Sequence, residues 1–126
     1  MESLKDMVNS KGKRFEDLIA WQKSQLLARN VYKLFNNSKD YSFRDQMCRA
    51  ATSISNNIAE GFEKNTNKDF IKFLYIAKGS CGEVRSMLYL AKDLRYISEK
   101  NFSIMYASSI EVSKLIYGMI KYINKK

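Results

Sequence analysis

The sequence predicts an all-α protein and, more specifically, an up-down-up-down antiparallel four-helix bundle. Proline, which breaks helices, is absent from the 126 residues, and glycine occurs five times. Four segments repeat apolar residues at steps of three and four, the period of an amphipathic helix. The links between them, at 36–42, 62–65 and 96–98, are short enough to place consecutive helices in opposite directions. A basic tail at 1–14 precedes the bundle domain at 15–126.

The first two helices are recognised by their apolar sides and by the signals at their ends. The first is predicted at 15–35, and the run NNSKDYS, rich in turn formers, follows it. The second is predicted to begin with a capping box, in which Ser42 accepts from an early backbone N–H and Asp45 lies near the positive end of the helix dipole. Gly61 is its predicted end. The predicted core residues are Leu18, Trp21, Leu27, Ala28, Val31, Tyr32, Leu34 and Phe35 in the first helix and Phe43, Met47, Ala50, Ile54, Ile58 and Gly61 in the second.

The last two helices begin in the same way. Thr66 and Asp69 form a second predicted capping box, and Ser98 is the predicted cap of the fourth helix. Their apolar residues alternate in steps of three and four, a pattern typical of helices that cross at shallow angles in a bundle. The predicted core residues are Phe70, Phe73, Ala77, Ser80, Val84, Met87, Ala91 and Leu94 in the third helix and Phe102, Met105, Ser109, Val112, Ile116, Met119 and Ile123 in the fourth.

Two glycines, Gly79 and Gly82, interrupt the third helix in the run AKGSCGE. A glycine inside a helix costs about 1 kcal/mol relative to alanine. Both glycines lie away from the apolar seam, so they predict a place where a neighbouring helix or another subunit comes close. The alternative is a tolerated weak point in the helix.

Composition excludes several classes of function. The chain has no histidine, so neither a Ser–His nor a Cys–His catalytic arrangement can be built. Its two cysteines, Cys48 and Cys81, are too few for a structural zinc site. No glycine-rich loop of the kinds that hold phosphates is present. The sequence therefore predicts a protein that is not an enzyme and uses no metal or cofactor.

Charge and hydropathy indicate the location and the kind of partner. The first residues do not resemble a secretion signal, and no apolar run approaches the ~20 residues needed to cross a bilayer. A cytoplasmic protein with reduced cysteines and no membrane contact is expected. The net charge of +9 favours an acidic partner such as RNA or DNA. The alternative is a charge that serves only solubility.

Three separated blocks of the chain match a known pattern. They are FEDLIAWQKS at 15–24, QMCRAATSISNNIAEGF at 46–62 and FIKFLYIAKGSCGE at 70–83. In these blocks the chain resembles the four helix bundle protein family, also called the 23S rRNA intervening-sequence protein family. It departs from the family at Ser55, where relatives commonly have proline, and at the proline-free segment YSF that begins at Tyr41.

The resemblance implies a small, basic bacterial protein that assembles into a homo-oligomeric ring, commonly a pentamer. It also implies a link to RNA, because members are encoded within intervening sequences of ribosomal RNA genes. A related accessory protein of diversity-generating retroelements binds nucleic acid and a reverse transcriptase. A nucleic-acid-processing protein is therefore a further implied partner.

A polar stripe opposite the apolar side of the second helix has three interpretations. It comprises Arg49, Ser53, Asn56 and Glu60, with Asn57 at its edge. By the resemblance, these residues match polar motif positions of the family together with Ser80 and Glu83. The stripe can join subunits or form a network inside the chain, contact RNA, or be a solvated face. Arginine and glutamate on one stripe favour mutual pairing, because carboxylates repel phosphate.

Basic residues of the third and fourth helices are the predicted nucleic-acid contacts. The predicted set is Lys68, Lys72, Lys114, Lys121, Tyr122, Lys125 and Lys126. Further positive charge is spread over the third helix and includes Lys78, Arg85 and Lys92. Tyrosines among lysines near the C-terminus suit stacking on single-stranded RNA, in the series Tyr117, Lys121, Tyr122 and Lys125. Two functions follow: a nucleic-acid-binding accessory protein or, as the alternative, an oligomeric scaffold or adaptor that binds another protein.

Overall fold

The computed structural model describes residues 14–125, and every regular element in this range is helical. A 3-10 turn at Phe15–Asp17 precedes four α-helices: α1 at Ile19–Phe35, α2 at Tyr41–Phe62, α3 at Asn67–Asp93 and α4 at Glu99–Asn124. The predicted all-α fold with four helices is confirmed. None of these helices combines the length and the apolar composition needed to span a membrane. The predicted tail before residue 14 and the predicted contact Lys126 lie outside the described residues.

The helices enclose one apolar core. Each helix packs on the next, and α4 also packs on α1. Gln46 of α2 contacts Glu83 of α3, while Ser53, further along α2, contacts Ser80, further back along α3. This is the order expected of antiparallel neighbours, and the complete up-down-up-down order remains a prediction.

Most predicted core residues are buried. Those with no exposed surface include Leu27, Val31, Met47, Ile54, Ile58, Ala77, Val84, Val112 and Ile116. Burying a large aliphatic side chain stabilises a fold by about 1.5–3 kcal/mol, so this shared interior holds the helices together. The prediction was wrong for Tyr32 and Leu94, which are 48% and 47% exposed. Tyr32 lies at the outer edge between α1 and α2, and Leu94 follows the last residue of α3, where the chain leaves the bundle.

The first helix begins later than predicted. After the 3-10 turn, Leu18 is extended, with φ −75° and ψ 127°, and α1 starts at Ile19. The Leu18 side chain is fully buried, so the extended residue brings the chain onto the core before the helix begins. Gln22 Nε2 of α1 donates to Glu16 O of the turn at 2.9 Å and fixes the junction.

The second helix also has different ends. It starts at Tyr41, and Asp40 is its cap, because Asp40 Oδ1 accepts from the Phe43 N–H at 3.1 Å. Ser42, the predicted cap, is exposed inside the first turn. The helix continues past the predicted end at Gly61 by one residue.

The predicted caps of α3 and α4 are confirmed. Thr66 Oγ1 accepts from the Asp69 N–H at 3.1 Å, and Ser98 Oγ accepts from the Asn101 N–H at 3.0 Å. At its other end, α3 closes with the Tyr96 N–H donating to Ala91 O at 2.8 Å, which is a Schellman arrangement.

The glycines of α2 and α3 have opposite surroundings. A Cβ on Gly61 would lie 2.7 Å from Phe73 Cβ and 3.3 Å from Phe70 O, so α2 and α3 approach closely there. A Cβ on Gly79 would meet nothing within 4 Å in the described chain, and one on Gly82 would make an ordinary contact with the Arg85 side chain. The predicted close approach of a neighbouring helix at Gly79 and Gly82 is therefore wrong within the described chain. A close approach by another subunit remains a prediction.

Candidate nucleic-acid interface

The predicted polar stripe is divided between two surroundings. Ser53 Oγ lies 2.9 Å from Ser80 Oγ, across the boundary between α2 and α3. Asn57 Nδ2 donates to Ser53 O at 2.8 Å and to Ser53 Oγ at 2.9 Å. All three side chains are partly buried. They satisfy one another inside the chain and join α2 to α3.

Two further polar contacts between helices were missed from the sequence. Gln46 Nε2 of α2 donates to Glu83 Oε2 of α3 at 3.4 Å. Gln25 Nε2 of α1 donates to the buried Ser55 Oγ of α2 at 2.9 Å. Gln46 precedes Ser53 by seven residues, or about two helical turns, so its spacing was a usable signal.

The outer side of α2 carries Arg49, Asn56 and Glu60, and all three are exposed. Within residues 14–125 their side chains make no hydrogen bond or ion pair, so the predicted arginine–glutamate pairing does not occur inside the described chain. Arg49 borders a shallow hollow that it shares with Arg44 and Cys48. The outer side of α2 therefore has polar groups that are available to a partner.

The predicted nucleic-acid contacts do not form one cluster. Lys68 and Lys72 are exposed on the first turns of α3. Lys114 and Lys121 are exposed on α4 and lie seven residues, about 10.5 Å, apart on one side of the helix, and the exposed Lys125 is its C-cap. Tyr122 differs, because it is partly buried and packs against the core.

A row of cations and rings follows the boundary between α3 and α4. Three basic residues recur at seven-residue intervals on α3, namely Lys78, Arg85 and Lys92. Lys78 Nζ lies 5.8 Å from the ring centre of Tyr117 on α4, and Lys121 Nζ lies 5.7 Å from the same ring. Lys92 Nζ lies 5.6 Å from the ring centre of Tyr89. We call this row the basic–aromatic strip; it consists of Lys78, Arg85, Tyr89, Lys92, Tyr117 and Lys121.

The rings of the strip face solvent. Tyr117 is 47% and Tyr89 48% exposed. A hydrogen bond with the Tyr106 hydroxyl raises the pKa of Tyr89 above its ordinary value near 10, so this phenol is neutral at pH 7.

Arg85 folds back along α3, where Arg85 Nη1 lies 3.8 Å from Cys81 Sγ.

The carboxylates of α3 and α4 lie away from the centre of the strip. Glu83 faces α2, where it accepts from Gln46, and Glu111 pairs with Lys23 of α1 at 3.8 Å. The others lie in terminal turns, at Asp69, Asp93 and Glu99. Glu99 borders the strip only at its Lys92 end. The centre of the strip therefore carries positive charge without a carboxylate from either helix.

Sequence reasoning named most residues of the strip but did not bring them together. Lys121 is in the predicted contact set, Tyr117 is one of the tyrosines among lysines near the C-terminus, and Tyr89 was missed. The three basic residues of α3 were named only as part of a spread positive charge. The seven-residue interval of Lys78, Arg85 and Lys92 was readable as one side of a helix. Lys78 lies beside Tyr117 because of the register in which α4 packs on α3. The pattern of one helix alone does not determine that register.

Both cysteines are buried and free. Burial raises the pKa of the Cys48 and Cys81 thiols, and Cys81 Sγ donates to Ser109 O at 3.1 Å. At neutral pH such thiols are protonated and behave as packing groups. The part of the chain described by the structure holds no group of three or more side chains suited to a metal ion.

Comparison with known proteins identifies the relatives of the chain. Residues 16–118 match the model of the 23S rRNA-intervening sequence protein family. A crystal structure of a protein of unknown function from the S23 ribosomal protein family of Bacteroides thetaiotaomicron is similar, with a TM-score of 0.77 and 30% sequence identity. The similarity covers 82% of this chain and 99% of that one. No protein with a curated description matches the sequence. From the family match over most of its length and the structural similarity, the chain belongs to the 23S rRNA-intervening sequence protein family.

Proposed function

We propose that the protein is a non-enzymatic, cytoplasmic accessory protein that binds nucleic acid as a homo-oligomer. The observation that carries the proposal is the basic–aromatic strip, which concentrates cations and exposed rings on one boundary of the bundle. Its family is named after an intervening sequence of ribosomal RNA, which agrees with RNA as the ligand.

The arrangement of charge suits a polyanion. The three basic residues of α3 recur about every 10.5 Å, and Lys121 adds a fourth cation from α4. Phosphate contacts of this kind give affinity that depends on salt and little on sequence. The chain carries a net charge of +9, and assembly multiplies it, so the attraction grows with each copy in an oligomer.

A scaffold or adaptor function is the second candidate, and the outer side of α3 favours it. Tyr75, Ile76 and Leu90 are exposed there by 51%, 44% and 47%. Gly79 lies among them with open space above it. An apolar surface of this kind suits a protein partner, which includes another copy of the chain.

The proposal is tested by fluorescence anisotropy with a labelled RNA strand at a series of salt concentrations. Replacing Lys78, Arg85 and Lys92 with glutamine should weaken binding. It should also reduce the slope of log binding constant against log salt concentration by about 2, because each lost phosphate contact contributes about 0.7. The matched control replaces Arg29, Lys33 and Lys39, three exposed cations on α1 and the link that follows it.

The two triple variants separate a local interface from overall charge. They remove the same charge, so the proposal expects the control to retain most of its affinity and its salt slope. Equal losses in both variants would assign the binding to net charge alone. If the wild type fails to bind RNA or DNA at low salt, the scaffold function takes its place.

A further inference from the structure

We infer that the basic–aromatic strip binds single-stranded nucleic acid by stacking bases on Tyr117 and Tyr89. The inference rests on the proposed function and deepens it, because it states which form of nucleic acid the strip accepts. It is carried by the two exposed rings and not by the cations alone.

Tyr117 has the surroundings of a stacking platform. Its ring is 47% exposed and contacts no other aromatic ring among the described residues. Lys78 comes to it from α3 and Lys121 from α4, with ammonium groups 5.8 and 5.7 Å from the ring centre. A base that stacks on this ring takes the place of the ammonium groups over it, and the two long lysine side chains then remain close enough to contact its phosphates from different helices.

Tyr89 forms a second platform toward the other end of the strip. Its ring is 48% exposed, and Lys92 Nζ lies 5.6 Å from its centre. The rings of Phe102 and Tyr106 hold it in place, with centres 5.1 and 5.8 Å away. The exposed part of a ring held by its neighbours in this way can accept a base with little loss of side-chain entropy.

The distance between the platforms suits a short strand. Lys78 is the residue of α3 that lies beside Tyr117, so it gives the position of the first platform along α3. It precedes Tyr89 by eleven residues, or about 16 Å along the helix. About five nucleotides stacked at about 3.4 Å each cover that length. A duplex keeps its bases inside, where the tyrosines cannot reach them, and offers only its phosphates. The strip should therefore prefer a single strand.

The test compares a labelled ten-nucleotide RNA strand, the DNA strand of the same sequence and the matching duplex by fluorescence anisotropy at low salt. The wild type should bind one or both single strands more tightly than the duplex. Comparing its affinities for the RNA strand and the DNA strand then shows whether it prefers ribose or deoxyribose. Tyr117→Leu should lower single-strand affinity at least about fivefold, the lower bound for loss of one stacked base, and leave duplex affinity unchanged. Tyr117→Phe keeps the ring and should bind like the wild type.

The matched control is Tyr32→Leu, because Tyr32 is 48% exposed but lies on α1, away from the strip. It should bind every strand like the wild type, and circular dichroism confirms that each variant is folded. A duplex that binds as tightly as both single strands, or a Tyr117→Leu protein with unchanged single-strand affinity, would overturn the inference and leave the proposed function standing. Failure of every strand to bind would remove the proposed function itself.

Discussion

Replacing Gly61 with alanine should destabilise the fold, although alanine is the better helix former. The added Cβ would lie 2.7 Å from Phe73 Cβ and 3.3 Å from Phe70 O. Because Phe73 Cβ is attached directly to the α3 backbone, relief requires the two helices to move apart by about 0.7 Å to reach ordinary contact. Overpacking costs about 1–3 kcal/mol, and this site belongs in the upper part of that range. The gain in helix propensity is below about 1 kcal/mol so near the helix end, which leaves a net loss of about 2 kcal/mol.

Thermal unfolding followed by circular dichroism measures this loss. At about 3–5 °C per kcal/mol for a domain of this size, the midpoint should fall by about 6–10 °C. The same substitution at Gly79 is the control: its Cβ meets nothing in the described chain, so alanine should raise the midpoint by about 3–5 °C. If Gly61→Ala is as stable as the wild type, the close packing of α2 on α3 is refuted.

Two further predictions concern the turn that leads from α3 to α4. Arg95 has φ 62°, a conformation that suits glycine, so Arg95→Gly should raise stability by about 1 kcal/mol in chemical denaturation while Arg95→Ala should not. The Tyr96 hydroxyl donates to Asp40 Oδ2 at 2.7 Å and, with the Phe43 N–H, lowers the pKa of Asp40. The stability this carboxylate contributes is complete above its unfolded pKa of about 3.9 and lost as the pH falls through its lower folded pKa. Tyr96→Phe should therefore be less stable than the wild type at pH 7. The difference in unfolding free energy between the two proteins should disappear when stability is measured at progressively lower pH.

The four helices and their core were predictable because period and propensity act locally along the chain. The start of α2 shows where that reasoning ends. Asp40 and Ser42 are both good caps and lie two residues apart, so local sequence does not choose between them. The choice is made by Tyr96, which is distant in sequence: its hydroxyl binds Asp40, and its ring packs edge-on against Phe43 with centres 5.2 Å apart.

The candidate interface was less predictable, because it is formed between helices. Single-helix patterns identified exposed lysines such as Lys68 and Lys114, but not which cation would lie beside which ring. Tyr117 gains its two ammonium neighbours only through the register of α4 against α3. The polar stripe was limited in the same way, since one helical wheel cannot tell that Ser53 lies opposite Ser80.

Ser53→Ala and Arg49→Ala should have opposite effects, because the stripe combines an internal network with free surface groups. Ser53 Oγ accepts from Asn57 and lies 2.9 Å from Ser80 Oγ, so its loss should cost about 1 kcal/mol of folding stability without changing the oligomer. The Arg49 side chain has no hydrogen bond or ion pair among residues 14–125, so its loss should change folding stability by less than about 0.5 kcal/mol. If the outer side of α2 joins subunits, Arg49→Ala should nevertheless reduce the mass found by light scattering at micromolar concentration. An Arg49→Ala protein that assembles like the wild type would make this side of α2 a solvated face and leave the outer side of α3 as the surface for self-association.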